Sequence, residues 1–154
     1  MSNEILVIDD NADIRLLISG ILKDNDFAVR VAANFDQAIG EINKKIPDVA
    51  IVDVKLDKGD ADGIEILTFL KKKDDDIPVI MISGHANVQM AVDSLKLGAF
   101  EFMQKPFSSD RLVNFVKRAV ENIDLKKEKR ILENKLFHSY DVIGQSQAIG
   151  KVKD

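Results

Sequence analysis

Several side chains able to do phosphoryl chemistry follow short apolar runs in this chain of 154 residues. Asp9 and Asp10 follow the first run, Asp53 the third, Ser83 the fourth and Lys105 the fifth. Three carboxylates held together repel one another, so they require a raised pKa, an ammonium group or a bound cation. Oxygen ligands without His or Cys suit a hard divalent ion such as Mg²⁺. A carboxylate beside Mg²⁺ and a lysine can attack a phosphoryl group in line, and Asp53 is the best candidate nucleophile because it ends the predicted central strand.

The elements that must bring these residues together follow two alternating patterns. Near-continuous apolar runs, four of them rich in β-branched residues, predict buried parallel strands at 5–8, 27–31, 49–52, 79–82 and 100–103. The segments between them carry apolar residues at helical spacing. This alternation predicts an α/β fold, a (βα)5 doubly wound parallel sheet of order 2-1-3-4-5. Ligands bind such sheets at the carboxyl ends of the strands, where the candidate residues should converge on one rim.

Helices are predicted both before and after the fifth strand. The fourth carries an apolar stripe of Val88, Ala91, Val92 and Leu95, and Gly98 is expected just after its end. The last is expected to be capped by Ser108 or Ser109 and to continue past the sheet domain.

Composition narrows the class of protein. The net charge of −4 argues against a domain that grips nucleic acid by charge. The absence of cysteine excludes disulfides and thiolate metal sites. No apolar run approaches the roughly 20 residues of a membrane span, and the first residues do not read as a signal peptide. A cytoplasmic protein without membrane association is therefore expected.

The order and spacing of five motifs resemble those of the receiver domain of two-component response regulators, over about residues 4–120. The motifs that carry this resemblance are Ile5-Leu6-Val7-Ile8-Asp9-Asp10, Val52-Asp53-Val54, Asp62-Gly63-Ile64-Glu65-Ile66-Leu67, Ile80-Met81-Ile82-Ser83-Gly84-His85 and Lys105-Pro106-Phe107.

The resemblance implies a reaction and a metal site. Asp53 is expected to accept a phosphoryl group from a sensor histidine kinase. Asp9 and Asp10 are expected to hold Mg²⁺ (or Mn²⁺) together with Asp53, with Asp10 rather than Asp9 favoured as a direct ligand. The backbone carbonyl of Lys55 would complete the protein ligands.

The resemblance also implies a conformational switch. Ser83 is expected to bond one phosphoryl oxygen and Lys105 another, with a cis Lys105–Pro106 bond. Phe102 occupies the family's aromatic switch position. Phosphorylation is expected to repack the face built from helix 4, strand 5 and helix 5, and to change a homodimer formed through that face.

The loop after Asp53 departs from the family pattern. The segment 55–61 is two residues longer than usual, with Asp57 in place of the usual proline, and its acids, like Asp62, are assigned no catalytic role. Together with the residues at 83–86 and 98–102, this loop is similar to that of the NtrX-type branch of nitrogen regulators. His85 either tunes hydrolysis of the phosphoryl group or is a plain loop histidine.

The segment 140–151, with the sequence YDVIGQSQAIGK, resembles the entry to the AAA+ ATPase domain of σ54-dependent activators. The expected organisation is a receiver at 1–121, a helical linker at 122–139 and the truncated start of the ATPase at 140–154. The linker is either solvated or a dimerising stalk. Contacts with DNA and σ54-RNA polymerase are expected only through domains that this chain lacks.

Two alternatives stay open. One is a constitutive receiver-like interaction or dimerisation module without phosphorylation switching. The other is a flavodoxin-like binder of small molecules on the same scaffold, although Asp9-Asp10 would repel a flavin phosphate. In the favoured reading the chain is a regulatory domain that catalyses only its own aspartyl phosphorylation and dephosphorylation.

Overall fold

The strands and helices alternate strictly along the chain in the computed structural model, which describes residues 3–56, 62–84, 88–123 and 125. These residues form five strands and five helices. In chain order they are β1 Glu4–Ile8, α1 Ala12–Asp24, β2 Ala28–Ala32, α2 Phe35–Lys44, β3 Val49–Asp53, α3 Asp62–Lys73, β4 Val79–Ser83, α4 Val88–Lys96, β5 Glu101–Gln104 and α5, whose described helical residues are 109–123 and 125. The described residues as far as Val120 form one compact unit.

All five strands are parallel and pair in the order β2-β1-β3-β4-β5. This confirms the predicted doubly wound sheet. The order reverses between β1 and β3, where Ile8 pairs with Val52. A crevice forms at such a reversal, beyond the carboxyl ends of the strands, because the flanking connections leave on opposite faces.

The prediction of buried strands is right in the centre of the sheet and wrong at its edge. Every residue of β3 and β4 is buried. Strand β2 lies at one edge, where Val31 is 48% exposed. The apolar run of β2 indicates a strand, but it cannot reveal that one side of the strand has no neighbour. Each predicted strand also shifts by about one residue at an end, as is usual for boundaries.

The core on one face of the sheet is built from β1, β3 and β4 against α2 and α3. Alternate strand residues such as Leu6, Val52 and Met81 pack there with Ile42 and Leu67. The intervening strand residues are also buried and face the other side, because side chains alternate along a strand. The right-handed crossover from β1 to β2 places α1 on that second face.

Side-chain caps fix where the helices start and end. Asn11 begins α1 by accepting hydrogen bonds from the backbone N–H groups of Asp13 and Ile14. Ser108 caps α5 through its Oγ, which accepts from the N–H of Arg111, and so resolves the choice between Ser108 and Ser109. Gly98 follows α4 with a φ of 104°, the left-handed conformation expected of it.

Helix α4 turns part of its predicted apolar stripe towards the solvent. Val88 is 81% exposed and Leu95 48% exposed. Ser94 is instead the one residue of α4 classed as buried. Helical spacing identifies an apolar face, but it does not say whether that face meets the sheet or the solvent.

Among the helices in the described part of the chain, none combines the length and the apolar character that crossing a bilayer requires. The predicted linker beyond residue 125, the segment 140–154, Asp57 and His85 lie outside the described residues. The division at 121 and 139 therefore stays a prediction.

Candidate functional site

Three carboxylates meet where β1 and β3 end. Asp9 and Asp10 directly follow β1, and Asp53 is the last residue of the neighbouring strand β3. One carboxylate oxygen from each lies within 4.8 Å of the others. Asp9 and Asp53 are buried, whereas Asp10 is exposed. The predicted convergence on one rim is therefore confirmed for the three acids, with two of them inside the protein and one facing solvent.

Lys105 joins the two buried acids. Its Nζ lies 2.8 Å from Oδ2 of Asp9 and 3.1 Å from Oδ2 of Asp53. The backbone holds this lysine in place, because its N–H donates to the carbonyl oxygen of Ser83 at 2.8 Å. The bond between Lys105 and Pro106 is cis, as expected. One ammonium group thus offsets part of the charge of two buried carboxylates.

The surroundings of Asp53 favour its protonated form more than water does. Burial and then the charge of Asp9 raise its pKa from 3.8 to about 6, although Lys105 and the N–H of Lys55 act in the opposite direction. Burial works to lower the pKa of Lys105, but hydrogen bonds and charge interactions with Asp9 and Asp53 outweigh it and raise that pKa. Lys105 is therefore an ammonium ion at neutral pH, and Asp53 is mainly ionised only above about pH 6.

Asp9 is oriented by its own loop. Its Oδ1 accepts the N–H of Asn11 at 2.9 Å, and its carbonyl oxygen accepts a hydrogen bond from the guanidinium of Arg15 at 2.7 Å. The N-cap Asn11 therefore starts α1 and fixes the neighbouring acid at the same time. The sequence did not predict the contact of Arg15, whose side chain reaches back from the first turn of α1 to the carbonyl oxygen of Asp9. This contact depends on the rotamer of Arg15.

The donor set fits a hard divalent cation. The grouped ligand atoms are all carboxylate oxygens, which Mg²⁺ and Mn²⁺ prefer over nitrogen or sulfur. One carboxylate oxygen from each acid lies within 4.8 Å of the others, a little beyond the roughly 4.2 Å that separates opposite oxygens around an ion with Mg–O bonds of about 2.1 Å. Three acids against one lysine also leave negative charge that a cation would neutralise.

A cleft of about 500 Å³ opens beside these acids. Its lining includes Asp10, Asp53, Lys55, Ser83 and Lys105. Ser83, at the end of β4, is 4% exposed. All of the predicted site residues except two therefore line one cleft. The first exception is Asp9, which is fully buried and paired with Lys105.

Phe102 is the second exception. It lies on β5, opposite Met81 of β4, and packs half-buried against the core. It is not among the described residues that line the cleft. The structure places it two strands away from Asp53, beyond β4, and its predicted role as a switch stays a proposal.

Asp62 and Gly63 contact the end of β3 more closely than the sequence suggests. A Cβ added to Gly63 would lie 1.9 Å from the carbonyl oxygen of Asp53. The buried carboxylate of Asp62 accepts the N–H of Leu56. Sequence reasoning assigned Asp62 no catalytic role; the adjacent Asp-Gly pair was the signal that the start of α3 touches the site.

Comparison with known proteins agrees with this geometry. The family model described as the response regulator receiver domain matches residues 5–117. The nitrogen assimilation regulatory protein NtrX of Azorhizobium caulinodans is 38% identical over 153 residues, which cover 99% of this chain and 34% of that protein. A putative NtrX-like response regulator of Rickettsia bellii is 39% identical over 150 residues, covering 97% of this chain and 31% of that protein. The chain thus spans about a third of the length of these curated relatives.

A solved structure matches the domain alone. The crystal structure of the receiver domain of NtrX from Brucella abortus superposes with a TM-score of 0.71 at 42% identity, covering 76% of this chain and 98% of that one. The family model, this coverage and the acid-lysine rim all point the same way. The chain belongs to the family of response regulator receiver domains, and within it to the receivers that resemble that of NtrX.

Proposed function

We propose that Asp53 is the phosphoacceptor of a switchable receiver that takes its phosphoryl group from a sensor histidine kinase. The observation that carries this proposal is the position of Asp53, which is buried, bridged to Asp9 by the Lys105 ammonium group and in the lining of the cleft. A carboxylate with a pKa of about 6 is mainly ionised at neutral pH and can act as a nucleophile.

In the proposed step a carboxylate oxygen of Asp53 attacks the phosphorus in line. The bond between phosphorus and the nitrogen of the kinase histidine breaks, and the imidazole leaves with the electron pair. Lys105 neutralises charge on the phosphoryl oxygens, and the Ser83 hydroxyl donates a hydrogen bond to one of them. Magnesium bound by Asp10, Asp53, the Lys55 carbonyl and, through water, Asp9 would supply further positive charge to the same oxygens.

We propose that the response passes from Ser83 to Phe102 and then to the face of α4, β5 and α5. Support comes from α4, where Val88, Val92 and Leu95 expose apolar side chains that a partner could cover. A second copy of this chain is the proposed partner. The phosphoryl group would act by favouring one of two existing arrangements of this face.

The wider role is inferred from the relatives. They are named as an NtrX and an NtrX-like response regulator. The proposed output is control of an AAA+ ATPase and, through it, of σ54-dependent transcription, exerted by further domains and not by this receiver. The receiver itself would catalyse only its own phosphorylation and dephosphorylation.

Intact-mass spectrometry with acetyl phosphate and Mg²⁺ tests the proposal. The wild type should gain about 80 Da, the mass of one phosphoryl group. Asp53→Asn should gain nothing, because the amide is not a nucleophile. The matched control is Asp48→Asn. Asp48 is an exposed acid at the amino end of β3, the end opposite to Asp53, and this variant should be labelled at the wild-type rate.

A gain in Asp53→Asn equal to that of the wild type would contradict the assignment. A short-lived adduct is detected by adding beryllofluoride, which mimics the phosphoryl group without transferring it. If the wild type gains no mass, and its amide hydrogen exchange does not change when beryllofluoride and Mg²⁺ are added, the constitutive interaction module is favoured instead.

A further inference from the structure

The loop between β3 and α3 is closed at its base by two hydrogen bonds. The N–H of Gly63 donates to the carbonyl oxygen of Val54 at 2.8 Å. The N–H of Leu56 donates to Oδ1 of Asp62. Asp62 and Leu56 are each only 4% exposed. A buried N–H that water cannot reach is costly to leave unpaired. The hydrogen bond to Asp62 therefore fixes the peptide group that carries this N–H.

That peptide group includes the carbonyl of Lys55. The bond between Lys55 and Leu56 is trans and planar, so its C=O and N–H point in opposite directions. When Asp62 holds the N–H of Leu56, it also sets the direction of the Lys55 carbonyl. The other side of Lys55 is held as well, because its own N–H donates to Oδ1 of Asp53 at 3.2 Å. Both peptide groups around this residue are therefore anchored to carboxylates.

We propose that Asp62 is a positioning residue for the metal site, which acts by orienting the carbonyl of Lys55 through the N–H of Leu56. The inference rests on the proposed function, in which that carbonyl is a metal ligand, and Lys55 lines the cleft beside Asp53. Partners behind a ligand commonly change metal affinity tenfold or more. Asp62 therefore affects metal binding without touching the ion.

Two ways in which Asp62 could act are separable by substitution. If its hydrogen bond matters, Asp62→Asn should bind Mg²⁺ nearly as well as the wild type, because the amide oxygen still accepts the N–H of Leu56. If only its negative charge matters, Asp62→Asn should be as weak as Asp62→Ala. Asp62→Ala removes both the acceptor and the charge.

The experiment is a calorimetric titration of each variant with MgCl₂, combined with hydrogen exchange of the Leu56 amide in the metal-free protein. Asp62→Ala should weaken Mg²⁺ binding about tenfold and expose the Leu56 amide to exchange, whereas Asp62→Asn should stay within about threefold of the wild-type Kd. If Asp62→Ala does not fold, Asp62→Glu replaces it, since the longer side chain keeps the charge and displaces the acceptor.

A carboxylate remote from the site serves as the matched control. Asp48 accepts the N–H of Glu4 at 2.8 Å, at the amino edge of the sheet, away from the cleft. Asp48→Ala removes the same kind of hydrogen bond and should leave the Kd for Mg²⁺ unchanged.

The outcomes separate this inference from the function on which it rests. If the wild type binds no Mg²⁺, the proposed function fails. If the wild type binds Mg²⁺ and Asp62→Ala binds it equally well after losing protection at Leu56, Asp62 has a structural role only and the inference is overturned. Equal weakening in Asp62→Asn and Asp62→Ala would also overturn it, because charge would then be the cause.

Discussion

Helices α3 and α4 follow neighbouring central strands, yet they are packed in opposite ways. Helix α3 buries five residues, among them Ile66, Leu67 and Leu70. Helix α4 buries only Ser94 and exposes Val88 and Leu95. Both helices begin at the carboxyl edge of the sheet, close to the acids. The difference assigns them different tasks: α3 holds the site in place, and α4 offers a surface that can move or be covered.

Helix α3 differs from α4 not only in burial but also in its direct contact with the backbone of the site. Gly63 approaches the backbone of Asp53 so closely that no side chain fits between them. Asp62 ties the segment after β3 to the same helix. Moving α3 would therefore disturb the proposed phosphoacceptor itself. Moving α4 would break few buried apolar contacts, so under the proposed function we expect a change in charge at the rim to shift α4 rather than α3.

The same substitution in the two helices should change the free energy of unfolding by very different amounts. Leu67→Ala on α3 should lower the free energy of unfolding by about 2–5 kcal/mol, because it leaves a cavity in the core. The matched substitution Leu95→Ala on α4 should change it by less than about 0.5 kcal/mol. Urea unfolding of both variants measures the difference. Similar losses of stability in the two variants would show that α4 is packed as tightly as α3.

The next effect concerns the close approach of α3. Gly63→Ala should lower the free energy of unfolding by about 2–3 kcal/mol, since its Cβ collides with the carbonyl oxygen of Asp53. Gly40→Ala, in the open middle of α2, should instead raise it by about 0.5–1 kcal/mol. Thermal unfolding of the pair gives the signs. A stabilising Gly63→Ala would mean that α3 is not held against β3.

A smaller effect depends on pH and comes from Asp53. Its pKa lies at about 6 in the folded chain against 3.8 for an ordinary aspartate, so the folded state binds the proton more tightly. The stability that this proton provides is fully present below pH 3.8 and is lost as the pH rises through 6. Asp53→Asn cannot ionise and keeps its stability. Without metal it should therefore be more stable than the wild type by about 1–2 kcal/mol at pH 7.5, after allowance for solvent screening.

The pH series supplies its own control. The stabilisation by Asp53→Asn should shrink as the pH falls from 7.5 to 4, because the wild-type carboxyl becomes protonated in the folded chain and, near its ordinary pKa of 3.8, partly protonated in the unfolded chain. Chemical unfolding at pH 4, 5.5 and 7.5 with a chelator measures it. A stabilisation that does not change with pH would argue that ionisation of Asp53 is not its cause. Adding Mg²⁺ at pH 7.5 should reduce the gain, because the metal favours the ionised wild-type carboxylate.

The sequence predicts the sheet and its rim for a clear physical reason. In a parallel sheet every strand ends at the same edge, so Asp9, Asp53 and Ser83 must lie together once the strands are identified. Backbone topology alone determines this convergence. The spacing of apolar residues likewise identifies each helix, because it requires only local periodicity.

The remainder depends on tertiary contacts that periodicity does not encode. Val88 and Leu95 have the spacing of a core stripe, yet they face outwards because α4 turns Ser94 to the sheet. The roles of Arg15 and Asp62 require side chains to reach backbone groups six residues away in the chain. Such contacts are chosen by rotamers and loop geometry, so they emerge only when the fold is known.

Under the proposed function, occupation of the Asp53 rim changes the α4 side of the domain and leaves α3 in place. Hydrogen exchange measured with Mg²⁺ alone and with Mg²⁺ plus beryllofluoride tests it most directly. We expect altered protection in α4 and β5, unchanged protection in α3, and no response in Asp53→Asn. Equal changes in α3 and α4, or a response that survives in Asp53→Asn, would contradict it.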